Sequence, residues 1–167
     1  MKQLFSLACA VALVALVAGA VNAAPATSTA NVTVSATVSA TAKLALGASA
    51  ISFADKDPDT FPSVLQTESA ITISAKAKTS TGSTVTLTVV SGGNLVSGTD
   101  NIAITNITWA VTGTGFVAGT LNTTAQPLAS WTNSGTWSGT QTYTLANSWA
   151  YRTGSYSATL TYTLTAP

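Results

Sequence analysis

The chain has 167 residues, six lysines and arginines, five acidic residues and no histidine, which gives a net charge of +1. A nearly neutral chain offers no basic surface for nucleic acid or for an anionic membrane. Its single cysteine is Cys9, and no serine has an evident base, so the usual catalytic sets are absent. We expect one domain that is neither an enzyme nor a binder of a cofactor.

The first residues have the pattern of an export signal. Lys2 precedes an apolar run from Leu4 to Val21, and Val21 and Ala23 are small residues at the two positions that signal peptidase reads. The sequence therefore predicts a signal peptide over residues 1–23, with no membrane span after processing. The alternative is an uncleaved anchor, because the run is nearly long enough to span a bilayer.

The stretch Ala30–Leu46 alternates between apolar and hydroxyl-bearing residues. Alternation places one set on one face of an extended strand, and that set is Val32, Val34, Ala36, Val38, Ala40, Ala42, Leu44 and Leu46. Residues 24–46 are thus predicted to form a long donor-type strand that runs into the first strand of the domain. Such an apolar strand must be buried, either in its own domain or in a neighbouring copy. Donation to a neighbour is our hypothesis.

Further strands follow in chain order. Residues 70–78 alternate, with Ile71 and Ile73 inward and the lysines outward, and we expect a hairpin with residues 84–89 through a turn at 80–83. A strand over 102–111 changes parity, which predicts a bulge near Thr105. Further predicted features are a solvated loop at 54–62, a turn at 135–139, and a strand marked by Tyr143, Leu145 and Trp149.

The last predicted strand covers residues 155–166. Its apolar face comprises Tyr156, Ala158, Leu160, Tyr162 and Leu164. No segment after the signal has a helical period. The sequence therefore predicts an all-β fold, an immunoglobulin-like β-sandwich of about seven or eight strands over residues 47–167.

Three segments resemble one protein family. Residues 31–38, NVTVSATV, resemble the donor strand of class 5 fimbrial pilins, the alpha-type colonisation-factor fimbriae of enterobacteria. Residues 154–164, GSYSATLTYTL, are similar to the closing glycine-x-tyrosine strand of that family, and Ile107 to Trp109 match a comparable strand. Ala40 departs from the pattern, since the family has a proline at the end of the donor segment.

The resemblance implies an incomplete sandwich that is completed by the next subunit. Its donor residues would be Asn31, Val32, Val34, Ala36 and Val38. Identical subunits would be the main partners, joined head to tail in a fibre. A periplasmic chaperone would first pair with the strand that carries Tyr156, Ala158, Leu160, Tyr162 and Leu164, and an outer-membrane usher would export the subunit to a fimbria on the bacterial surface.

Two residue sets are candidate ligand sites. Asp55, Asp57 and Asp59 alternate like the first ligands of a calcium loop, but the glycine and glutamate of that motif are missing, so we expect a solvated loop and no metal. Trp131 and Trp137 lie beside predicted turns and could face a host or cell-surface glycan. Trp109 and Trp149 are expected in the core.

A rival interpretation keeps the N-terminal strand in its own domain. The protein would then be a monomeric, self-complemented, secreted β-sandwich that binds cell wall or carbohydrate. Loss of polymers on removal of residues 24–38 would favour donation, whereas unfolding of the truncated monomer would favour the rival.

Overall fold

The computed structural model describes residues 25–167. The predicted signal peptide, residues 1–23, lies outside the described residues. The chain divides into two units at residues 36 and 37. Taken by themselves, residues 25–36 have exposed side chains and no regular secondary structure. Within the described part of the chain, no helix is long and apolar enough to cross a bilayer.

The fold is all-β, as predicted. The strands are β1 (Thr41–Leu46), β2 (Ser63–Leu65), β3 (Ile71–Lys78), β4 (Thr84–Ser91), β5 (Leu95–Ser97), β6 (Asp100–Ile102), β7 (Ile107–Thr112), β8 (Gly119–Thr120), β9 (Gln126–Thr132), β10 (Gly135–Ala146) and β11 (Leu160–Thr165). The one helical element within residues 25–167 is a short 3-10 turn at Ile104–Asn106. Threonine and the β-branched apolar residues that fill these strands favour extended backbone.

Two antiparallel sheets form a sandwich. The first has the order β1-β3-β10-β7-β8, with β2 also paired to β10, and the second has the order β11-β4-β9. Strands β5 and β6 form a separate hairpin. One hydrophobic core contains residues from both sheets. The immunoglobulin-like topology stays a prediction.

Alternation along the strands builds this core. In β3 the inward side chains are buried and the outward side chains are mostly exposed, and β4 buries every second residue from Val85 to Ser91. Ile73, Val85 and Leu87 are among the most deeply buried side chains, and Trp109 is buried as predicted. The inward and outward faces predicted for residues 71–78 are confirmed.

The sandwich has two ends, which the strand registers define. At the lower end, β3 leads into β4 and β9 leads into β10; β1 also begins there, because Thr41 pairs with Lys78. The last residue, Pro167, accepts a hydrogen bond from Thr79 at this end. At the upper end β10 finishes beside β2, and β11 begins where β4 finishes.

The predicted hairpin of residues 70–78 with 84–89 is wrong. Strand β3 pairs with β1 and β10, whereas β4 pairs with β11 and β9 in the opposite sheet. The turn between them carries the chain across the core from one sheet to the other.

Three predicted boundaries also differ from the structure. Residues 30–46 form a paired strand only over β1. The parity change near Thr105 is taken up by the 3-10 turn before β7 instead of a bulge. The last strand is shorter than predicted, because the regular ladder begins at Leu160 and Ser157 before it pairs with Val96 in an isolated bridge.

The predicted turn at 135–139 is part of β10. Its glycines make room for large side chains, since a Cβ on Gly135 would lie 2.6 Å from the indole of Trp137, and one on Gly139 would lie 2.7 Å from the ring of Phe116. A glycine in the sequence can therefore indicate a close approach of another group within a strand, and not only a turn.

Candidate functional site: an uncovered face beside β11

The two sheets differ in width, and this leaves part of the first sheet uncovered. Strand β1 is its edge, and Ala42, Leu44 and Leu46 share the face of their buried partners on β3. Leu46 is nevertheless 37% exposed, Ala42 is exposed and Leu44 is half-buried. The inner face of β1 is therefore less completely buried than the inner face of β3.

Strand β11 borders the uncovered region. It pairs with β4 on one side, and no strand within residues 25–167 pairs with its other side. Leu160, Tyr162 and Leu164 are only half-buried although they pack against the core. Strands β1 and β11 contact each other. We call the region lined by the inward side chains of these two strands the β1–β11 groove.

The structure brings together part of the predicted acceptor set. Leu160, Tyr162 and Leu164 lie on one face of β11, as the alternation predicted. Tyr156 and Ala158 precede the strand, and the Tyr156 hydroxyl donates to the carbonyl of Arg152, 2.9 Å away. Sequence reasoning missed Leu44 and Leu46 as groove residues, because the same alternation runs without a break through the donor segment into β1.

A polar network lies in the core beside Tyr162. The hydroxyls of Tyr143 and Tyr162 are 2.7 Å apart, and the Tyr162 hydroxyl donates to Gln141 Oε1 at 2.8 Å. Burial raises the pKa of both tyrosines above its ordinary value. The Gln141 amide nitrogen is buried without a hydrogen-bond partner in the described part of the protein. This network ties edge strand β11 to β10 in the opposite sheet.

The predicted donor residues have exposed side chains. Val32 is 87% exposed and Val34 is 90% exposed, and Asn31, Ala36 and Val38 are also exposed. None of the five belongs to a strand. Three exposed valines in so short a segment are unusual in a monomer, since valine is among the residues most often buried.

The four tryptophans occupy different environments. Trp131 is 7% exposed, its Nε1 donates to the Thr114 carbonyl at 2.8 Å, and its ring stacks on Trp137 with centroids 4.6 Å apart. Trp131 is therefore a core residue and not an open platform for a sugar. Trp137 is half-buried with one ring face against Trp131, and its contact with a glycan stays a prediction. The prediction of a core position for Trp149 is wrong, because this residue is 69% exposed.

The three alternating aspartates are not assembled as metal ligands. Asp57 Oδ1 accepts a hydrogen bond from the Asp59 backbone, which closes a turn, and Asp59 Oδ1 accepts one from Trp149 Nε1 at 3.1 Å. Within residues 25–167 no group of three or more histidine, cysteine or acidic residues could hold a metal ion. The predicted loop at 54–62 is present as a loop.

No protein-family model, characterised protein or solved structure shows a detectable match to this chain. Its function is therefore inferred from its own geometry. Three features need an explanation: the exposed inner face of β1, the unpaired edge of β11 and the exposed apolar segment before β1.

Proposed function

We propose that this protein is the structural subunit of an extracellular bacterial fibre, in which residues 31–38 of one copy occupy the β1–β11 groove of the next. The observation that carries the proposal is that edge strand β11 and residues 31–38 complement each other. Strand β11 is half-buried and has no strand paired with its outer side within residues 25–167, and an exposed segment of the same chain has the alternation of a buried strand.

The donated segment has a suitable length and pattern for the groove. Eight residues of extended chain span about 26 Å, which covers the six residues of β11. The segment would hydrogen-bond to the outer edge of β11 and widen the second sheet. Its valines would then face Leu44 and Leu46, and its hydroxyl-bearing residues would face solvent.

Burial of the valines supplies the affinity. Each fully buried valine stabilises the joint by roughly 1.5 to 3 kcal/mol, and the donor segment presents Val32, Val34 and Val38 on one face. A ladder of backbone hydrogen bonds adds to this and fixes the register. High affinity usually reflects a low dissociation rate. We therefore expect a joint of this kind to dissociate slowly.

The contact joins unlike surfaces, so it propagates. The donor segment of one copy meets the groove of another, which leaves one donor and one groove free at the ends. The product is an open head-to-tail fibre. A neutral chain rich in threonine tolerates such self-association, which a soluble monomer would avoid.

An open strand edge is also a hazard before assembly, since unpaired edges promote aggregation. A periplasmic chaperone that lends a strand to β11 would protect it, and an outer-membrane usher would exchange that strand for the donor segment of the next copy. These partners, an immunoglobulin-like topology and a place in a fimbria on the cell surface form part of the proposal.

A second candidate function rests on Trp149. Its exposed indole is held by Asp59, and an exposed aromatic ring is a common platform for the apolar face of a sugar. In this alternative the protein is a secreted monomer that binds cell wall or carbohydrate. Binding to a glycan array that Trp149→Ala abolishes, by a chain that stays monomeric, would favour it.

The donor segment offers a matched pair of variants that tests the first proposal. Val34 and Ser35 are adjacent and face opposite sides of an extended segment. Val34→Asp places a charge in the groove and should abolish assembly of the refolded mature chain. Ser35→Asp places the same charge in solvent and should leave assembly intact. Size-exclusion chromatography with light scattering measures the outcome.

Loss of assembly in both variants would point to a general effect of charge, and assembly of both would contradict strand donation. A wild-type chain that remains monomeric at every concentration would contradict it too.

A further inference from the structure

The charged side chains are separated between the two ends of the sandwich. Lys43, Lys76 and Lys78 lie in the lower half of the β1–β3 pair, where Lys43 is opposite Lys76. All five acidic side chains lie toward the upper end, in the loop at 54–62, beside Ser52 and in β6. The upper end also carries Lys56 and Arg152, the latter 3.4 Å from Asp100. The side-chain charge is therefore +3 below and −3 above.

The chain enters β1 from the basic end. Thr41, the first residue of β1, pairs with Lys78. Val38 and Ala40 line a hollow together with Lys78 and Ser134. A donor segment that reaches into another copy thus leaves its own sandwich at the lower end, and this end must approach the copy that accepts it.

We infer that the basic lower end of one copy docks on the acidic upper end of the next, so that the donor segment enters the groove from the upper end. The inference rests on the proposed function and adds the surface that orients the two copies. A meeting of two lower ends would instead bring two sets of three lysines together.

The upper end also offers aromatic surface to the lysines. Trp149 and Phe61 are exposed there. Phe61 belongs to the loop at 54–62, and the Trp149 indole donates to Asp59 of the same loop. Lysine ammonium groups bind to the faces of such rings. Lys56 already lies 5.5 Å from the Phe61 ring centroid, which leaves the exposed face of Trp149 for a lysine of the incoming copy.

Complementary charge of this kind acts on the encounter more than on the final affinity. Opposite patches raise the association rate and exclude wrong orientations, and salt screens them over about 10 Å at 0.1 M. The inference therefore predicts a salt-sensitive rate of assembly and a joint that, once closed, resists salt because buried valines hold it.

A charge swap tests the inference. Lys76→Glu/Lys78→Glu leaves the lower end at −1, and Asp55→Lys/Asp59→Lys brings the upper end to +1. Each variant then carries like charge at both ends. Alone, each should assemble at least about tenfold more slowly than wild type in low salt, as expected for lost electrostatic steering. An equimolar mixture should recover the rate, because the two variants are complementary when they alternate.

Lys76→Arg/Lys78→Arg keeps the charge and should assemble like wild type, and circular dichroism confirms that each variant is folded. Light scattering at low and high salt measures the rate. Wild-type rates that do not depend on salt, or a mixture no faster than its components, would overturn the inference. Assembly that is blocked by Val34→Asp but not affected by the charge swap would overturn the docking surface alone and leave strand donation standing.

Discussion

Gln141 is a polar residue that is fully buried in the core. Its Oε1 accepts a hydrogen bond from Tyr162, and the amide nitrogen has no partner within residues 25–167. A buried polar group without a partner costs about 1 to 3 kcal/mol. The Gln141 oxygen offsets part of this cost, because it accepts from the Tyr162 hydroxyl, which also contacts the Tyr143 hydroxyl.

Ionisation of these tyrosines should limit the stability of the fold in alkali. Burial raises their pKa in the folded state above the unfolded value of about 10. Their contribution is therefore complete below pH 10 and is lost as the pH rises further, by up to about 1.4 kcal/mol per pH unit for each tyrosine. Urea denaturation between pH 8 and about 11.5 measures the slope.

Tyr143→Phe/Tyr162→Phe is the control for that measurement. The double variant removes both ionisable groups, so its stability should be lower at neutral pH but should fall less steeply above pH 10. Equal slopes for the variant and the wild type would show that the pair does not set the alkaline limit.

Strand β10 contains two glycines at positions where a Cβ would clash with neighbouring atoms. A Cβ at Gly139 would clash with the Thr112 carbonyl oxygen and the ring of Phe116, and a Cβ at Gly135 would clash with the indole of Trp137. Gly113, with φ +104°, also lies close to Phe116 and turns the chain after β7. Glycine here permits aromatic packing against the middle of a sheet.

Gly139→Ala should therefore destabilise the fold, by about 1 to 3 kcal/mol as for other overpacked sites. Gly93→Ala is a matched control, because nothing lies within 4 Å of a Cβ at Gly93 and its backbone is not in the left-handed region. This control should change the free energy of unfolding by less than about 0.5 kcal/mol. Equal effects of the two substitutions would contradict the packing explanation.

Strand faces could be predicted from the sequence, but strand partners could not. Alternation in residues 71–78 and 85–89 gave the correct inward side chains, because the period of a strand is a local property. It did not reveal that β3 and β4 lie in different sheets, since a short turn is compatible with a hairpin and with a crossing of the core. The glycines of β10 predict a turn by the same local rule, because the sequence does not reveal that the Thr112 carbonyl and the ring of Phe116 lie against Gly139.

The candidate site could be predicted in part. The alternation marked the valines of the donor segment and the inward residues of β11. The exposure of Leu46 could not be predicted, because it follows from how many strands each sheet contains. As part of a predicted strand, Trp149 is expected in the core, but β10 ends at Ala146, and the tryptophan lies in the loop beyond it.

In the proposed fibre each copy contributes residues 31–38 as the donor and the β1–β11 groove as the acceptor, and each can be blocked without the other. Val34→Asp blocks the donor and keeps the groove. Leu164→Asp places a charge in the groove and keeps the donor, and Thr163→Asp on the outward face of β11 controls for the added charge. Circular dichroism verifies that each variant is folded. Since a fibre needs both parts in every copy, neither blocked variant should assemble alone.

An equimolar mixture of Val34→Asp and Leu164→Asp is the most direct measurement, with masses determined by light scattering. Strand donation predicts a complex of one copy of each variant and nothing larger, because the intact donor of Leu164→Asp enters the intact groove of Val34→Asp and the chain of contacts then stops. A mixture that stays monomeric, or one that forms long polymers, would contradict strand donation.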